Sequence, residues 1–334
     1  MKKIILAGDA GATNTELALF SIENDGLKVL FSEKYKSAEH VSLYEIINKF
    51  ISDKKVNPSA ACIGVPGPVF GGKIISTNIP WEIDETELGN KLGIPNMKIV
   101  NDLEAAAAAI PNMNPGSLEI IYAGNGKTNY GNKMVIAPGT GLGMAILIHN
   151  KDGYSVIPTE GGHSDYAPVT DIEIELLKFL KMKFGRVSPE RVISGLGILN
   201  IYEFLLTKKE FGNSENYFEK SEFKDIAAKI SEEALNSGND ICIKVMDIFI
   251  SSLAALCSSK VLGVNASGGV YLCGGIPRKI LKLLSDGKFT EAYLNKGRLK
   301  YYIEPVPVYV VRESSAGLKG AALIAGRFIK SGIE

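Results

Sequence analysis

The sequence predicts an α/β protein built from two duplicated domains. Three observations carry that reading. The chain has 334 residues, two strand–turn–strand units share a small-residue turn (Asp9–Thr13 and Pro138–Gly141), and strand-like and helical runs alternate after the first unit. A chain of this length exceeds the size at which one core keeps growing, so it divides.

Ile4–Asp9 is an apolar run ending in an acid, and a second apolar run begins at Leu17. Between them Gly11, Ala12 and Thr13 place short side chains and backbone N–H groups where an anion fits, and Asp9 stands ready for Mg²⁺ or its water shell. Further strands are expected at Leu17–Ile22, Lys28–Tyr35, Ala60–Pro66 and Met97–Val100, and helices at Leu43–Ile51, Glu85–Leu92 and Asp102–Ile110. Asp84 and Glu87 have the spacing of a capping box, and Gly93 stops that helix. Residues 111–116 read as a hinge, which gives a small domain over 1–110, completed by a C-terminal helix at 315–334, and a large domain over 111–314. In the second part Met134–Ala137 and Leu142–Ile148 flank the Gly139-Thr140-Gly141 turn. Helices are expected at Ile172–Phe184, Pro189–Leu206, Phe223–Leu235 and Ile241–Leu262, and strands at Val270–Cys273 and within Tyr301–Val311. Gly317, Gly320 and Gly326 mark a last helix that packs closely on a neighbour.

Lys+Arg and Asp+Glu each number 37, so the net charge is zero, and neither a nucleic-acid surface nor a polybasic membrane contact is indicated. Apolar residues are 46% and charged residues 22%, the composition of a globular protein. Cys62, Cys242, Cys257 and Cys273 lie in apolar runs without a C-x-x-C pair, as expected of free thiols in a reducing cytoplasm. The apolar run after Lys3 is too short for a signal-peptide core. Ile241–Leu262 carries Lys244, Asp247, Ser251, Ser258 and Ser259 on one stripe, a core-helix pattern rather than a membrane span.

Five segments have the composition of a phosphoryl-transfer site. Two are the Gly/Thr turns. Gly274-Gly275 ends a strand and lets a base or ribose approach the backbone, or serves as an ordinary strand-to-helix turn. Asn101-Asp102 brings an amide and a carboxylate to the end of an apolar strand, where α/β sheets place ligands. Asp102 is equally suited to be the N-cap of the Ala-rich helix behind it. Glu160-Gly161-Gly162-His163 is a loop suited to hydrogen-bonding a polyol, or a surface turn. Glu190, after Ser188-Pro189, is a first-turn helix acid, and Asn78 lies in a polar turn before Pro80-Trp81.

Taken together and in this order, GDAGATNTELAL, CIGVPGPV with TNIPW, IVNDLEAAAAAIP, APGTGLGMAIL, PTEGGHSDYAP, RVSPERVISGLGILNIY and GGVYLCGGI resemble the bacterial-type glucokinase family of the hexokinase/actin superfamily over nearly the whole chain. The resemblance implies two duplicated actin/hexokinase-like (ribonuclease H-like) domains around a cleft. It implies a cytoplasmic homodimer that phosphorylates the 6-hydroxyl of glucose with ATP and Mg²⁺, giving glucose 6-phosphate and ADP. Asp102 would be the general base. Asn78, Asn101, Glu160, His163 and Glu190 would bind sugar hydroxyls. Asp9 would sit near Mg²⁺, Gly11, Ala12, Thr13, Asn14, Gly139, Thr140 and Gly141 would hold phosphates, and Gly274 and Gly275 would lie beside adenosine. The chain departs from the family at Ala12, where a second glycine is usual, and at Glu16, where an arginine is usual. It lacks the zinc-binding cysteine cluster of the related ROK family. A kinase for mannose, glucosamine or an N-acetylhexosamine, and a non-catalytic sugar or nucleotide sensor, are the alternatives.

Overall fold

The computed structural model describes residues 3–23, 26–74, 79, 81–126, 130–212, 223–236 and 238–330. The chain divides into two compact units: unit 1 comprises Met1–Met113, Tyr154–Pro158 and Glu313–Glu334, and unit 2 comprises Asn114–Gly153 and Thr159–Arg312.

In chain order the first elements are β1 (Ile4–Ala10), β2 (Asn14–Glu23), β3 (Gly26–Lys36), α1 (Leu43–Lys54), β4 (Ala60–Val65), β5 (Val69–Phe70) and β6 (Lys73–Ile74). There follow α2 (Glu85–Leu92), β7 (Met97–Asn101) and α3 (Asp102–Ala109). The five-stranded sheet of unit 1 runs β3-β2-β1-β4-β7. The strands β1, β2 and β3 form an antiparallel meander, while β1, β4 and β7 run parallel. Every residue of β4 is buried, as a parallel strand covered on both faces requires. Leu6, Ile63 and Phe50 share the core on one face, and Ile5, Ala7, Cys62 and Leu318 share the core on the other.

The remaining elements are β8 (Leu118–Tyr122), β9 (Lys133–Pro138), β10 (Leu142–Asn150), β11 (Gly153–Thr159), α4 (Asp171–Phe184), α5 (Gly195–Leu206), α6 (Phe223–Asn236), α7 (Asp240–Val264) and β12 (Val270–Leu272). After these come α8 (Gly275–Lys279), α9 (Leu281–Leu284), α10 (Lys288–Leu294), α11 (Lys300–Ile303), β13 (Val308–Val311) and α12 (Ala316–Lys330). The second sheet runs β11-β10-β9-β12-β13-β8. Its first five positions repeat the order of the first sheet: β9 is antiparallel to β10 and parallel to β12, and β12 is parallel to β13. The duplication read from the two turns is therefore a duplication of sheet topology.

Several expectations change. The helix expected over Pro189–Leu206 is a 3₁₀ turn at Pro189–Arg191 followed by α5. Ser194 divides them, because its hydroxyl accepts the Gly197 N–H and caps a new helix. Asp84 accepts the Thr86 and Glu87 N–H groups, but the Glu87 carboxylate pairs with Lys91 instead of closing the box. Within Tyr301–Val311 only Val308–Val311 is extended, since Lys300–Ile303 forms α11. Ser258 lies buried rather than on an exposed stripe, its hydroxyl donating back to the Ala254 carbonyl. The helix α7 is long and apolar enough to cross a membrane, and 67% of its most apolar stretch is buried inside the protein. Part of the polar stretch Lys208–Lys224 lies outside the described residues.

The last helix packs as its glycines require. A Cβ at Gly320 would lie 1.6 Å from the Ala105 carbonyl oxygen, so α12 and α3 meet backbone to backbone. Gly320→Ala is expected to cost about 3 kcal/mol in urea unfolding, because the added methyl forces the two backbones apart. Gly326 has no neighbour nearer than 3.9 Å, and Gly326→Ala is expected to gain about 0.5–1 kcal/mol in the same measurement.

Candidate active site

In unit 1 the turn between β1 and β2 is braced from outside the sheet. The Gly11 N–H donates to the Asn14 carbonyl at 2.9 Å, so this amide is engaged within the turn. The amides of Ala12 and Thr13 have no partner among the described residues and remain open to an anion. Ser37, fully buried, holds the turn. Its hydroxyl donates to the Gly11 carbonyl at 2.6 Å, lies 3.0 Å from the Thr15 hydroxyl, and its N–H donates to the Thr13 carbonyl at 3.0 Å. Ser37 was not among the residues singled out from the sequence. No local pattern marks it, because it reaches the turn only through the β2–β3 pairing.

The turn opens on a cavity of about 500 Å³ lined by Asp9, Gly11–Asn14, Glu16, Lys34, Ser314 and Ser315. The start of α12 thus faces the same space as the turn, and its helix dipole favours an anion there. Gly317 explains how α12 comes so near: a Cβ there would stand 3.0 Å from Asp9 Oδ2. Ala12 is exposed and does not adopt a positive φ, so its methyl adds no backbone strain to this turn.

Burial pushes the Asp9 carboxyl up to about 6. The negative charges of Asp102 and Glu16 contribute to that rise, and the Lys34 charge opposes it. The N-cap of α3 is Asn101, not Asp102. The Asn101 Oδ1 accepts the Leu103 and Glu104 N–H groups at 2.9 and 3.3 Å, and its Nδ2 donates to the Gly67 carbonyl at 3.1 Å. Asp102 is then the first helical residue, with an exposed side chain whose Oδ1 also accepts the Leu103 N–H. Surrounding protein raises the Asp102 carboxyl above its ordinary value, and the Leu103 N–H acts in the opposite sense. Asn101 thus fixes the backbone that presents Asp102. Asn78 lies outside the described residues.

In unit 2 the second turn repeats the pattern of amides. The Gly139 N–H donates to the Gly141 carbonyl, while those of Thr140 and Gly141 have no partner among the described residues. Its brace is Glu190: the carboxylate accepts the Leu142 N–H at 2.9 Å, and a Cβ at Gly141 would come 2.6 Å from Glu190 Oε2. Glu190 therefore anchors a turn as well as standing in a helical first turn. Its other oxygen lies 4.0 Å from His163 Nδ1. The 3₁₀ turn Gly161–His163 sits directly against β10, since a Cβ at Gly162 would fall 2.0 Å from the Leu142 carbonyl oxygen. Glu160 and His163 are exposed beside it. Gly274 has φ 92°, and a Cβ there would approach the Pro138 carbonyl oxygen to 2.9 Å, so only glycine serves. Gly275 opens α8 with free space around it. The expected residues thus gather as Asp9, Gly11–Asn14, Asn101 and Asp102 in unit 1, and as Gly139–Gly141, Glu160, His163, Glu190, Gly274 and Gly275 in unit 2.

The duplicated topology and the two amide-bearing turns fit a sugar kinase of the actin-like ATPase fold. A sequence profile of the glucokinase family matches residues 6–327. The glucokinase of Nostoc punctiforme is 34% identical over 97% of this chain and 99% of its own. That of Psychromonas ingrahamii is 32% identical over 96% of each. The crystal structure of a glucokinase from an Antarctic psychrotroph superposes with a TM-score of 0.86 at 28% identity, covering 98% of this chain and 100% of the other. The chain belongs to the glucokinase family.

Two outcomes follow from the unit 1 turn. Because the folded Asp9 pKa lies above its unfolded value of 3.8, the folded state holds a proton that the unfolded state releases first, and Asp9 removes stability as pH rises from about 4 to about 6. Asp9→Asn is expected to raise stability at pH 7 by about 2–3 kcal/mol and to flatten the pH dependence in that window, as read by urea unfolding across pH. Ala12→Gly is expected to leave the KM for ATP within about twofold in steady-state kinetics, since the alanine adopts no strained backbone.

Proposed function

We propose that this chain, which as a glucokinase-family member phosphorylates glucose with ATP, uses Asp102 as the base that takes the proton of the sugar 6-hydroxyl. The observation that carries the reading is the placement of Asp102. It is an exposed carboxylate at the first position of α3, aimed by the Asn101 cap and raised toward a basicity suited to accepting a proton. The Asn101 amide, beside Asp102, would also hold a sugar hydroxyl. Glu160, His163 and Glu190 supply acceptors and donors for a polyol, and Asn78 takes the same role by family resemblance.

Phosphoryl transfer needs little covalent help from a protein and much positioning. The open amides of Ala12, Thr13, Thr140 and Gly141, with the Thr13 and Thr140 hydroxyls, serve as phosphate donors, and Gly274 and Gly275 let the adenosine approach the backbone. The residues present fit a Mg²⁺ ion. Asp9 is a crowded acid beside the phosphate turn, and among the described residues no cluster of three metal-ligating groups competes with it. Mg²⁺ takes one or two protein carboxylates and fills its other positions with water and phosphate. Asp9 would hold it through water, and the ion would neutralise charge on the transferring phosphoryl group. The four free buried cysteines suit a reducing cytoplasm, and the family resemblance supports a homodimer supplying glucose 6-phosphate to glycolysis.

Asp102→Asn is expected to lower turnover roughly 10²–10⁴-fold while glucose affinity, measured by calorimetry, changes less than about threefold. Near-normal turnover would remove Asp102 from the role of base.

A further inference from the structure

The registers of unit 1 place three charged residues in one row across the sheet. Asp9 on β1 faces Glu16 on β2, and Glu16 faces Lys34 on β3. Residues directly opposite across neighbouring strands project on the same face, here the face covered by α12. All three line the cavity onto which the Gly11–Asn14 turn and the start of α12 open. Lys34 is exposed and makes no ion pair with Glu16 or with any other acid among the described residues, although Glu16 stands directly across the ladder. The Glu16 carboxylate is instead approached by the Ser32 hydroxyl at 3.5 Å. The cavity therefore holds two acids, open backbone amides, a helix N-terminus and one lysine whose charge is not spent on a partner.

We propose that Lys34 is the cationic contact for the polyphosphate tail of the nucleotide in this cavity, a binding residue for the reaction that is carried by an edge strand rather than by the phosphate turn itself. The inference rests on the proposed phosphoryl-transfer reading. An ammonium on a flexible stem reaches a phosphate oxygen as a point charge, without the planar fork that arginine would need to place. Its position at the far end of the row separates it from Asp9 by a strand. The electrostatic influence of Lys34 on Asp9 is consistent with a shared solvent space.

The test compares Lys34→Met and Lys34→Arg with the unaltered chain. The readouts are steady-state kinetics, calorimetric binding of inorganic tripolyphosphate, and thermal unfolding. Lys34→Met is expected to raise the KM for ATP about tenfold and to weaken tripolyphosphate binding by a similar factor. The KM for glucose and the unfolding temperature should stay where they were, and Lys34→Arg should recover binding to within about threefold. The loss should shrink as salt is raised, because a solvent-facing charge is screened. Tripolyphosphate binding unchanged in Lys34→Met overturns the proposal. A fall in unfolding temperature with tripolyphosphate binding intact also overturns it, because Lys34 would then serve only to balance Glu16. If the unaltered chain fails to phosphorylate glucose, the functional reading fails, while the tripolyphosphate arm still decides for or against Lys34.

Discussion

The backbone contact between α12 and α3 is the constraint on which unit 1 depends. A helix that begins at Ala316, more than two hundred residues after the end of α3, returns to cover the face of a sheet formed by the first hundred residues. Gly320 allows the contact by leaving the Ala105 carbonyl unobstructed, and Gly317 lets the same helix pass over Asp9. Lowering α12 onto the sheet has two effects at once. It buries the apolar residues of β1 and β4 together with Leu318 and Ala321, and it brings Ser314 and Ser315 to the wall of the cavity beside the first turn. Packing and site are one arrangement here. A bulkier residue at Gly320 would lift the helix and open the cavity wall with it.

That arrangement also sets the electrostatics. An acid at the end of a buried strand, under a helix and beside two further acids, is costly, and its carboxyl is pushed up accordingly. The protein bears it in a place where a divalent cation and a polyphosphate would relieve it. Strain of this kind is expected where binding, not folding, supplies the missing counter-charge.

Much of this was legible in the chain. Apolar runs gave most strands, and the glycine spacing in the last helix foretold its close packing, which falls on α3. The strand–turn–strand repeat foretold a repeated sheet order, β3-β2-β1-β4-β7 against β11-β10-β9-β12-β13. What was not legible depends on pairing across the fold. β8 and β11 are short runs with mixed burial and carry no sharp alternation. The cap of α3 fell to Asn101 rather than Asp102 because both residues have capping chemistry, and only the backbone decides which stands outside the helix. The break before α5 turned on whether Ser194 would cap a new helix or continue the old one, a choice the apolar pattern does not record.

The two turns show most plainly why a repeat in sequence reveals less than a repeat in structure. Each engages the amide of its first glycine internally and leaves the next two amides without a partner among the described residues. Yet the braces are unrelated. In unit 1 a buried serine just past the end of β3 ties the turn by its hydroxyl and its own N–H. In unit 2 a carboxylate from a 3₁₀ turn, 48 residues away from the N–H it accepts, does the equivalent work. Duplication conserved what the backbone must present to an anion and left each unit to find its own means of holding it still. A neutral hydroxyl adds no charge to the first turn, where Asp9 and Glu16 already crowd the cavity. A carboxylate is tolerable at the second turn, where Glu190 can also face His163. Each brace thus suits the charge already present in its own unit.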